Sequence, residues 1–174
     1  MYRKCFKRLF DIFLSLFLIL FLSPVFILIF FTVWWFIGFP IFKHNRPGLN
    51  NKIFTLYKFK TLYDTSKNVS KKNRQNKVGN YLRRVGFDEL PQLFNILKND
   101  MSFVGPRPLL IRYLKIKAFK NHERVKCLPG ITGYAQVNSF KKLIKKKRKS
   151  KWIEQFILDK KYYKNFSLRL DFLI

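Results

Sequence analysis

The chain has 174 residues, 36 of them Lys or Arg and 9 Asp or Glu, which gives a formal charge of +27. Because 48% of the residues are hydrophobic and 21 are Phe, the composition excludes a disordered chain, and the length is that of one small domain. Cys5 and Cys127 are too few and too far apart for a disulfide framework, so we expect both to be reduced. His44, His122 and Cys127 show no metal-ligand spacing and are interpreted as structural or incidental.

The N-terminal segment joins a basic start to a long apolar run. Between Asp11 and Lys43 there are 31 consecutive uncharged residues. A signal peptide would have a shorter apolar core and a small-residue cleavage site, and no such site is visible. A helix of this length, at about 1.5 Å per residue, would extend past a hydrocarbon core of about 30 Å. Ser23-Pro24 lies near the middle, where proline removes a backbone N–H and predicts a helix break.

The residues of this segment, taken as residues 1–42, leave two membrane arrangements open. A re-entrant helix-break-helix hairpin would enter and leave the membrane by one face, whereas a single kinked helix would cross it. Both flanks are basic, which favours the hairpin because Lys and Arg tend to stay on the cytoplasmic side. Kinked spanning helices are common, so the residues alone do not decide between the two.

The rest of the chain, residues 43–174, is predicted to be a cytoplasm-facing α+β domain, mainly helical with short strands. Alternation over Ile53 to Lys60 predicts a strand with Lys58 and Lys60 on one side. The other predicted elements are a loop from Asp64 to Lys77, helices over Tyr81 to Gly86 and Glu89 to Lys98, a connector from Asn99 to Pro108, a short helix around Leu109 to Asn121, a loop over Pro129 to Gly133, and a helix near Trp152 to Tyr163.

A basic run from Lys141 to Lys151 holds eight Lys or Arg in eleven positions. Such runs are usually solvated, yet each cation near an anionic leaflet contributes about 1 kcal/mol of attraction. Together with the apolar N-terminal segment, the run favours an anionic phospholipid bilayer as partner. No nucleic-acid motif is present, so no nucleic-acid partner is expected.

Asp88 and Glu89 are the only adjacent acidic pair. Pro91 cannot lie deep in a helix, so a helix starting just before it would have Asp88 at its N-cap and Glu89 in its first turn. A purely structural role is therefore the simpler hypothesis. The functional alternative uses the same place, since two carboxylates can hold a divalent cation and an Asp can attack phosphorus. Arg107, fixed between Pro106 and Pro108, presents a planar fork suited to phosphate oxygens.

The chain resembles the monotopic phosphoglycosyl transferases, also called bacterial sugar transferases, which act on undecaprenyl phosphate. The resemblance runs in order from about residue 4 to Asp171. The matching residues are Lys7-Arg8 with Phe10-Asp11, Ser23-Pro24, Asn45-Arg46-Pro47-Gly48, Tyr57-Lys58-Phe59-Lys60-Thr61, Asp88-Glu89-Leu90-Pro91-Gln92, the segment Asp100 to Pro108, and Pro129-Gly130-Ile131-Thr132-Gly133 with Ala135-Gln136-Val137.

This resemblance implies a re-entrant hairpin broken at Ser23-Pro24, at the cytoplasmic face of the bacterial inner membrane. It implies transfer of a phosphosugar from a UDP-sugar to undecaprenyl phosphate, with Mg²⁺ required and UMP released, as the start of a cell-surface glycan that downstream glycosyltransferases would extend. By the same resemblance Asp88 would be the nucleophile and Glu89 would assist with metal or proton, the two being the expected Mg²⁺ ligands. The residues expected to surround the phosphates or support the site are Lys58, Lys60, Arg84, Arg107, Asp100, Gly130, Thr132 and Gln136.

The chain departs from the family pattern at several positions. Leu128 stands where an Arg usually precedes the Pro-Gly-Ile-Thr-Gly motif, and Phe140 stands where another Arg often follows. Lys126 or Lys141-Lys142 are the candidate substitutes, although Lys lacks the bidentate fork of Arg. The chain also has little of the C-terminal tail of longer members. These departures keep a second hypothesis open, a catalytically degenerate relative that binds anionic lipid or a partner enzyme.

Overall fold

The structure, a computed structural model, describes residues 6–64, 74–115, 122–140 and 148–174. The helices are α1 (Lys7–Phe21), α2 (Ser23–Ile37), α3 (Lys77–Val85), α4 (Gln92–Leu97), α5 (Tyr134–Phe140), α6 (Arg148–Lys164) and α7 (Leu168–Phe172), with short 3-10 helices at Leu49–Asn51, Phe87–Glu89, Ile111–Lys115 and Glu123–Lys126. The strands are β1 (Ile41–Pro47), β2 (Ile53–Phe59), β3 (Ser102–Val104) and β4 (Gly130–Thr132). The prediction of an α+β chain, mainly helical with short strands, is confirmed.

Helices α1 and α2 meet at a sharp bend beside Ser23-Pro24, as the sequence predicts. They are separated by Leu22 and inclined by 65° to one another, with Pro24 in the first turn of α2, where its missing N–H costs nothing. The Ser23 hydroxyl donates to the Leu20 carbonyl at 2.8 Å, which satisfies a carbonyl at the end of α1. Among the described residues no single helix has the length and hydropathy to cross a membrane; only this bent pair together reaches both.

Helix α2 ends earlier than the apolar run suggests. Gly38 adopts a φ of 102°, a conformation that few other residues tolerate, and the chain then turns through Pro40 into β1. Strand β1 pairs antiparallel with β2, from Ile41 opposite Phe59 to Pro47 opposite Ile53. The last residues of the apolar run, Ile41 and Phe42, therefore begin a strand and do not extend α2.

The sequence around Asp88 also folds differently from expectation. Helix α3 ends at Gly86, as predicted, because Gly86 takes up the left-handed conformation at a φ of 78°. The 3-10 helix Phe87–Glu89 follows, and α4 begins only at Gln92, with Pro91 preceding it and no side-chain cap. The prediction that Asp88 caps a helix is wrong, because the short 3-10 turn puts Asp88 a full turn before α4. The carboxylate of Asp88 is left without that structural task.

A second strand pair joins two segments that the sequence predicts as a connector and a loop. Strands β3 and β4 lie parallel, with Ser102 opposite Gly130 and Val104 opposite Thr132. The two backbones approach so closely that a Cβ on Gly130 would lie 2.2 Å from the Gly105 nitrogen. A strand pair this short has no sequence periodicity to reveal it, which is why both segments were expected to be irregular.

Gly130→Ala is expected to destabilise the fold by at least about 2 kcal/mol, because the added methyl group overlaps backbone atoms that cannot move independently. Denaturation in detergent should show this as a lower unfolding midpoint. The matched substitution Gly86→Ala meets no atom within 4 Å, although its positive φ carries a smaller strain. Equal losses of stability in Gly130→Ala and Gly86→Ala would contradict the close approach of the backbones at Gly105 and Gly130.

Three apolar clusters form the core, and residues of the N-terminal helices pack into the first two of them. The first joins α2 to β2 and α3, the second joins β2 to α4 and the residue before β3, and the third joins β3 to α6. Their buried members are Ile29, Val33, Ile37, Phe59 and Leu82; Phe54, Leu56, Leu93, Ile96 and Met101; and Val104, Cys127 and Tyr162. The N-terminal helix pair therefore packs against elements from the rest of the chain.

Two buried groups of polar side chains contact α6 and α7. Lys7 at the start of α1 donates to Asp171 at 2.5 Å, and the buried Tyr162 hydroxyl donates to the same carboxylate at 2.7 Å. Arg124 and Asp159 form a second pair, with 3.5 Å between Nη1 and Oδ2 and almost no exposure of either residue. Burial raises the pKa of Asp159 to about 6, although the Arg124 charge opposes this shift.

Asp159→Asn is expected to change how stability depends on pH. Because burial holds the pKa of Asp159 at about 6 in the folded chain, above the ordinary value of 3.8, the folded state binds more protons between these two pH values. The native chain therefore loses stability as pH rises through this interval. Relative to the Asn variant, the native chain should lose about 3 kcal/mol across this range. Chemical denaturation at several pH values measures the free energy of unfolding of the native chain and of Asp159→Asn. If the two free energies changed with pH in parallel, the raised pKa of Asp159 would be contradicted.

Some predicted features lie outside the described residues. They are most of the loop from Asp64 to Lys77, the second half of the helix expected around Leu109 to Asn121, Cys5, and the larger part of the basic run from Lys141 to Lys151. The helix predicted near Trp152 to Tyr163 is confirmed by α6, which begins before the predicted start.

Candidate active site

Five of the predicted site residues, Lys58, Lys60, Asp88, Glu89 and Arg107, line a cavity of about 550 Å³ beside the β1–β2 hairpin. We call it the central cavity. Its walls come from both strands, the residues after β2, α3, the 3-10 turn before α4 and the segment after β3. Six cationic side chains and three carboxylates line it: Arg46, Lys58, Lys60, Arg74, Arg83 and Arg107 with Asp64, Asp88 and Glu89. The excess of cations suits a ligand that carries more than one negative charge.

Asp88 presents a nearly buried carboxylate to the central cavity. The residue is only 9% exposed, and the nearest ion-pair partner of its carboxylate is Lys58, with 3.9 Å between Nζ and Oδ2. Burial raises the pKa of Asp88, and the Glu89 charge adds to this effect, whereas Lys58 and Arg83 oppose it. A carboxylate of raised pKa is a better base and a better nucleophile than an exposed one.

Glu89 has the opposite electrostatic environment. Its Oε1 accepts from Lys58 at 2.5 Å and from Arg107 at 3.3 Å. Burial alone would raise the pKa of Glu89, but the charge and hydrogen bond of Lys58, with Arg107, outweigh burial and lower it. The two adjacent carboxylates therefore differ in protonation behaviour, a difference that separates roles in many active sites.

Lys58 and Lys60 both face the central cavity, as the strand alternation predicts. Lys58 is held by Glu89, and Lys60 forms an ion pair with the exposed Asp64. Both ammonium groups are thus already paired with carboxylates. A phosphate that enters the cavity would compete with these carboxylates for the two lysines.

Buried Asn95 in α4 fixes β2 relative to the acidic pair. Its side-chain amide donates to the Thr55 carbonyl at 2.7 Å, and its side-chain oxygen accepts from the Tyr57 backbone N–H at 3.0 Å. These two bonds reproduce the pairing that a neighbouring strand would make on the free edge of β2. Because α4 follows the acidic pair directly, Asn95 ties that pair to the strand that carries Lys58.

The sequence-based prediction does not include several cavity residues, among them His44, Arg46 and Arg83. His44 was interpreted as incidental, Arg46 had no assigned role and Arg83 was passed over in favour of its neighbour. The β1–β2 register places His44 opposite Leu56 in the cavity wall, where burial and the charges of Arg46 and Lys58 lower its pKa. The motif Asn45-Arg46-Pro47-Gly48 was the available signal for Arg46.

Several other predicted site residues lie away from the central cavity. Arg84 is exposed, whereas Arg83 lines the central cavity, because α3 turns the one side chain to solvent and the other towards the cavity. Asp100 accepts from Asn95 at 3.3 Å and so supports β2 indirectly. Gly130 lines a small adjoining cavity of about 50 Å³ with Glu89 and Arg107, while Thr132 accepts from Gly105 and Gln136 donates to Ile131.

Asp88 and Glu89, the adjacent pair among the three carboxylates that line the central cavity, are the candidates for holding a divalent ion. Within the described ranges no cluster of three or more His, Cys, Asp or Glu has a geometry suited to a metal. Magnesium in phosphate-transfer sites is commonly held by one or two carboxylates together with substrate phosphates and water. The pair Asp88 and Glu89 fits that donor set, because the carboxylate of Asp88 faces a cavity large enough for phosphate groups.

Comparisons with known proteins agree with the geometry. A family model described as bacterial sugar transferase matches residues 2–174. The chain is 42% identical over 175 residues to the uncharacterized sugar transferase EpsL of Bacillus subtilis (strain 168), covering 97% of this chain and 82% of that protein. It is 32% identical over 185 residues to an undecaprenyl-phosphate glucose phosphotransferase of Komagataeibacter xylinus, covering 97% and 34%.

A further relative is the UDP-glucose:undecaprenyl-phosphate glucose-1-phosphate transferase of Escherichia coli (strain K12), 37% identical over 147 residues, with 78% of this chain and 31% of that protein covered. The chain therefore belongs to the bacterial sugar transferase family, and the family predicted from its motifs is confirmed. Membership classifies it as a phosphoglycosyl transferase. It spans about a third of the length of the two phosphotransferases named here.

Proposed function

We propose that this chain transfers a phosphosugar from a UDP-sugar to undecaprenyl phosphate through a covalent intermediate on Asp88. The observation that carries the proposal is the position of the Asp88 carboxylate: nearly buried, free of any capping role, and facing a cavity lined by six cations. Two of the three relatives have names that specify undecaprenyl phosphate, and one of these two names also specifies UDP-glucose, which supports the substrate classes.

The proposed reaction has two displacement steps at the same phosphorus. In the first, an Asp88 carboxylate oxygen attacks the β-phosphorus of the UDP-sugar, and the bond from that phosphorus to the bridging oxygen breaks. UMP leaves with the bridging oxygen and its electron pair. In the second, a phosphate oxygen of undecaprenyl phosphate attacks the phosphosugar on Asp88, which breaks the acyl phosphate bond and restores the carboxylate.

The neighbouring side chains have separate tasks in this scheme. Lys58 and Arg107, now held by Glu89, would bind phosphate oxygens and neutralise charge that develops on the leaving UMP. Glu89, whose pKa is lowered, stays ionised and keeps Lys58 oriented. Asp88 and Glu89 would hold Mg²⁺ together with the phosphates, and the ion would supply further charge neutralisation when bound.

We also propose that α1 and α2 form a re-entrant hairpin in the cytoplasmic leaflet of the bacterial inner membrane. Large apolar side chains project from both helices, including Phe13, Leu20, Leu28 and Trp35, each at least 67% exposed. An apolar surface of this extent needs a lipid or protein cover. The 65° bend at Leu22 allows the chain to return to the face that it entered.

The topology can be tested with reporters at the N-terminus and after Phe42. Both reporters should report the cytoplasmic side, because a re-entrant hairpin leaves its two ends on one face. Reporters on opposite sides would instead identify a kinked spanning helix and overturn the hairpin.

The reaction can be tested with the full chain in detergent or lipid nanodiscs supplied with Mg²⁺. At least one UDP-sugar of a panel should release UMP. Sustained turnover should require polyprenyl phosphate. Retained membrane binding without UMP release for any sugar would overturn the enzymatic proposal. That result would instead support the alternative, a catalytically degenerate relative. The Leu128 that stands in place of the usual Arg is one departure from the family pattern that is consistent with this alternative.

A further inference from the structure

Arg124 is a buried arginine behind the wall of the central cavity. It is 5% exposed and does not line that cavity. One guanidinium nitrogen, Nη2, donates to the backbone carbonyl of Arg107 at 2.5 Å. The other, Nη1, lies 3.5 Å from Asp159, and the guanidinium lies 5.1 Å from the ring centre of Phe156. The side chain thus bridges α6 and the segment that carries Arg107.

The pair of Arg124 and Asp159 is costly for stability alone. Burial lowers the pKa of Arg124, and burial raises the pKa of Asp159 to about 6, so both charges are disfavoured by their surroundings. Buried ion pairs of this kind often contribute less to stability than well-packed apolar residues of similar size. A role other than stability is the better explanation for placing two charges here.

Arg107 needs an external support because its segment has few hydrogen-bond groups of its own. The prolines on both sides, Pro106 and Pro108, have no backbone N–H. The carbonyl of Pro106 accepts from Gly130 at 3.1 Å, which fixes one end of the segment to β4. The carbonyl of Arg107 accepts from Arg124, which fixes the next peptide. The side chain of Arg107 then reaches Glu89 while half of its surface stays exposed.

We propose that Arg124, with Asp159 as its counterion, is a positioning residue that holds the Arg107 peptide so that the Arg107 guanidinium faces the acidic pair and an incoming phosphate. This inference rests on the proposed function in one respect, that Arg107 binds the phosphate of the substrate. Arg124 acts only through Arg107 and touches no substrate.

A double-mutant cycle tests whether Arg124 acts through Arg107. UMP release would be measured for the native chain, Arg107→Met, Arg124→Met and the double variant, each in the same nanodiscs. Each single variant is expected to lose about 30- to 100-fold in kcat/KM. The double variant should lose at most about threefold more than Arg107→Met, because Arg124 has nothing left to position. The exposed Arg169 supplies the matched control, and Arg169→Met should keep the native rate.

Loss in the double variant equal to the product of the two single losses would overturn the proposal, since it would mean that Arg124 acts independently of Arg107. Native activity in Arg124→Met would overturn it as well. Thermal melts of the four chains exclude global unfolding as the cause of the losses.

A second readout does not depend on the reaction. Deuterium uptake of peptides covering residues 103–109 should rise severalfold in Arg124→Met, while peptides covering Asp88 keep the native uptake. If the native chain releases no UMP from any UDP-sugar, the proposed function fails, and this exchange experiment still decides the positioning role. Unchanged uptake at residues 103–109 would overturn that role.

Discussion

Asp88→Asn is expected to abolish both UMP release and formation of a phosphosugar adduct on the protein. The amide is nearly the same size as the carboxylate but lacks the charge and nucleophilicity that the first step needs, so a loss of at least about 1,000-fold is expected. The fold should be retained, because Asp88 caps no helix. Release of UMP can be followed directly, and intact-protein mass spectrometry detects the adduct.

Two comparisons make this experiment decisive. Glu89→Gln should turn over slowly yet still form the adduct, since Glu89 orients Lys58 and does not attack phosphorus. Glu123→Gln, which changes an ion pair with Lys160 away from the central cavity, should keep the native rate. Full turnover in Asp88→Asn would refute the nucleophile assignment, and an adduct that persists in Asp88→Asn but disappears in Glu89→Gln would exchange the two roles.

Lys58→Met is expected to have the second largest effect, with a loss of about 100-fold in kcat/KM. Lys58 contacts both carboxylates of the pair, at 2.5 Å for Glu89 and 3.9 Å for Asp88, so its removal changes the charge of the whole site. Lys98→Met is a suitable control, because Lys98 is exposed and its ammonium group contacts Tyr57 instead.

The pH profile gives Lys58→Met a specific signature. Activity requires ionised Asp88, so it should fall as pH decreases through the pKa of that group, which burial raises above 3.8. Lys58 opposes that rise, and without it the pKa of Asp88 should increase further. The acidic limb of the profile should therefore move to higher pH in Lys58→Met and stay in place in Lys98→Met. If the acidic limb stayed in place in Lys58→Met, the titration of a group other than Asp88 would determine it.

Features set by neighbouring residues were predictable from the sequence. The break at Ser23-Pro24 follows from the missing N–H of proline, the end of α3 follows from Gly86, and β2 follows from alternation. These signals are local, because each depends on the conformation that a few consecutive residues prefer. The family motifs likewise located the acidic pair.

Features that depend on distant partners were not predictable in this way. The first two residues of β1, Ile41 and Phe42, are apolar like the run before them, and it is their pairing with β2 that places them in a strand. Strands β3 and β4 pair residues 28 positions apart over three residues each. Predicting that Arg83 and not Arg84 lines the cavity requires the rotation of α3 about its axis. A shift of one residue along the helix turns the other side chain towards the cavity.

The amide of Asn95 has a consequence for how the enzyme meets its substrate. Since it docks α4 onto the edge of β2 by two hydrogen bonds, the separation of Lys58 from the acidic pair is fixed when the chain folds. No loop closure is then needed to bring nucleophile and cation together, and substrate binding need not order them. In the proposed reaction the sugar donor and the lipid acceptor would meet the same preorganised charges, which suits a site that binds two different substrates one after the other.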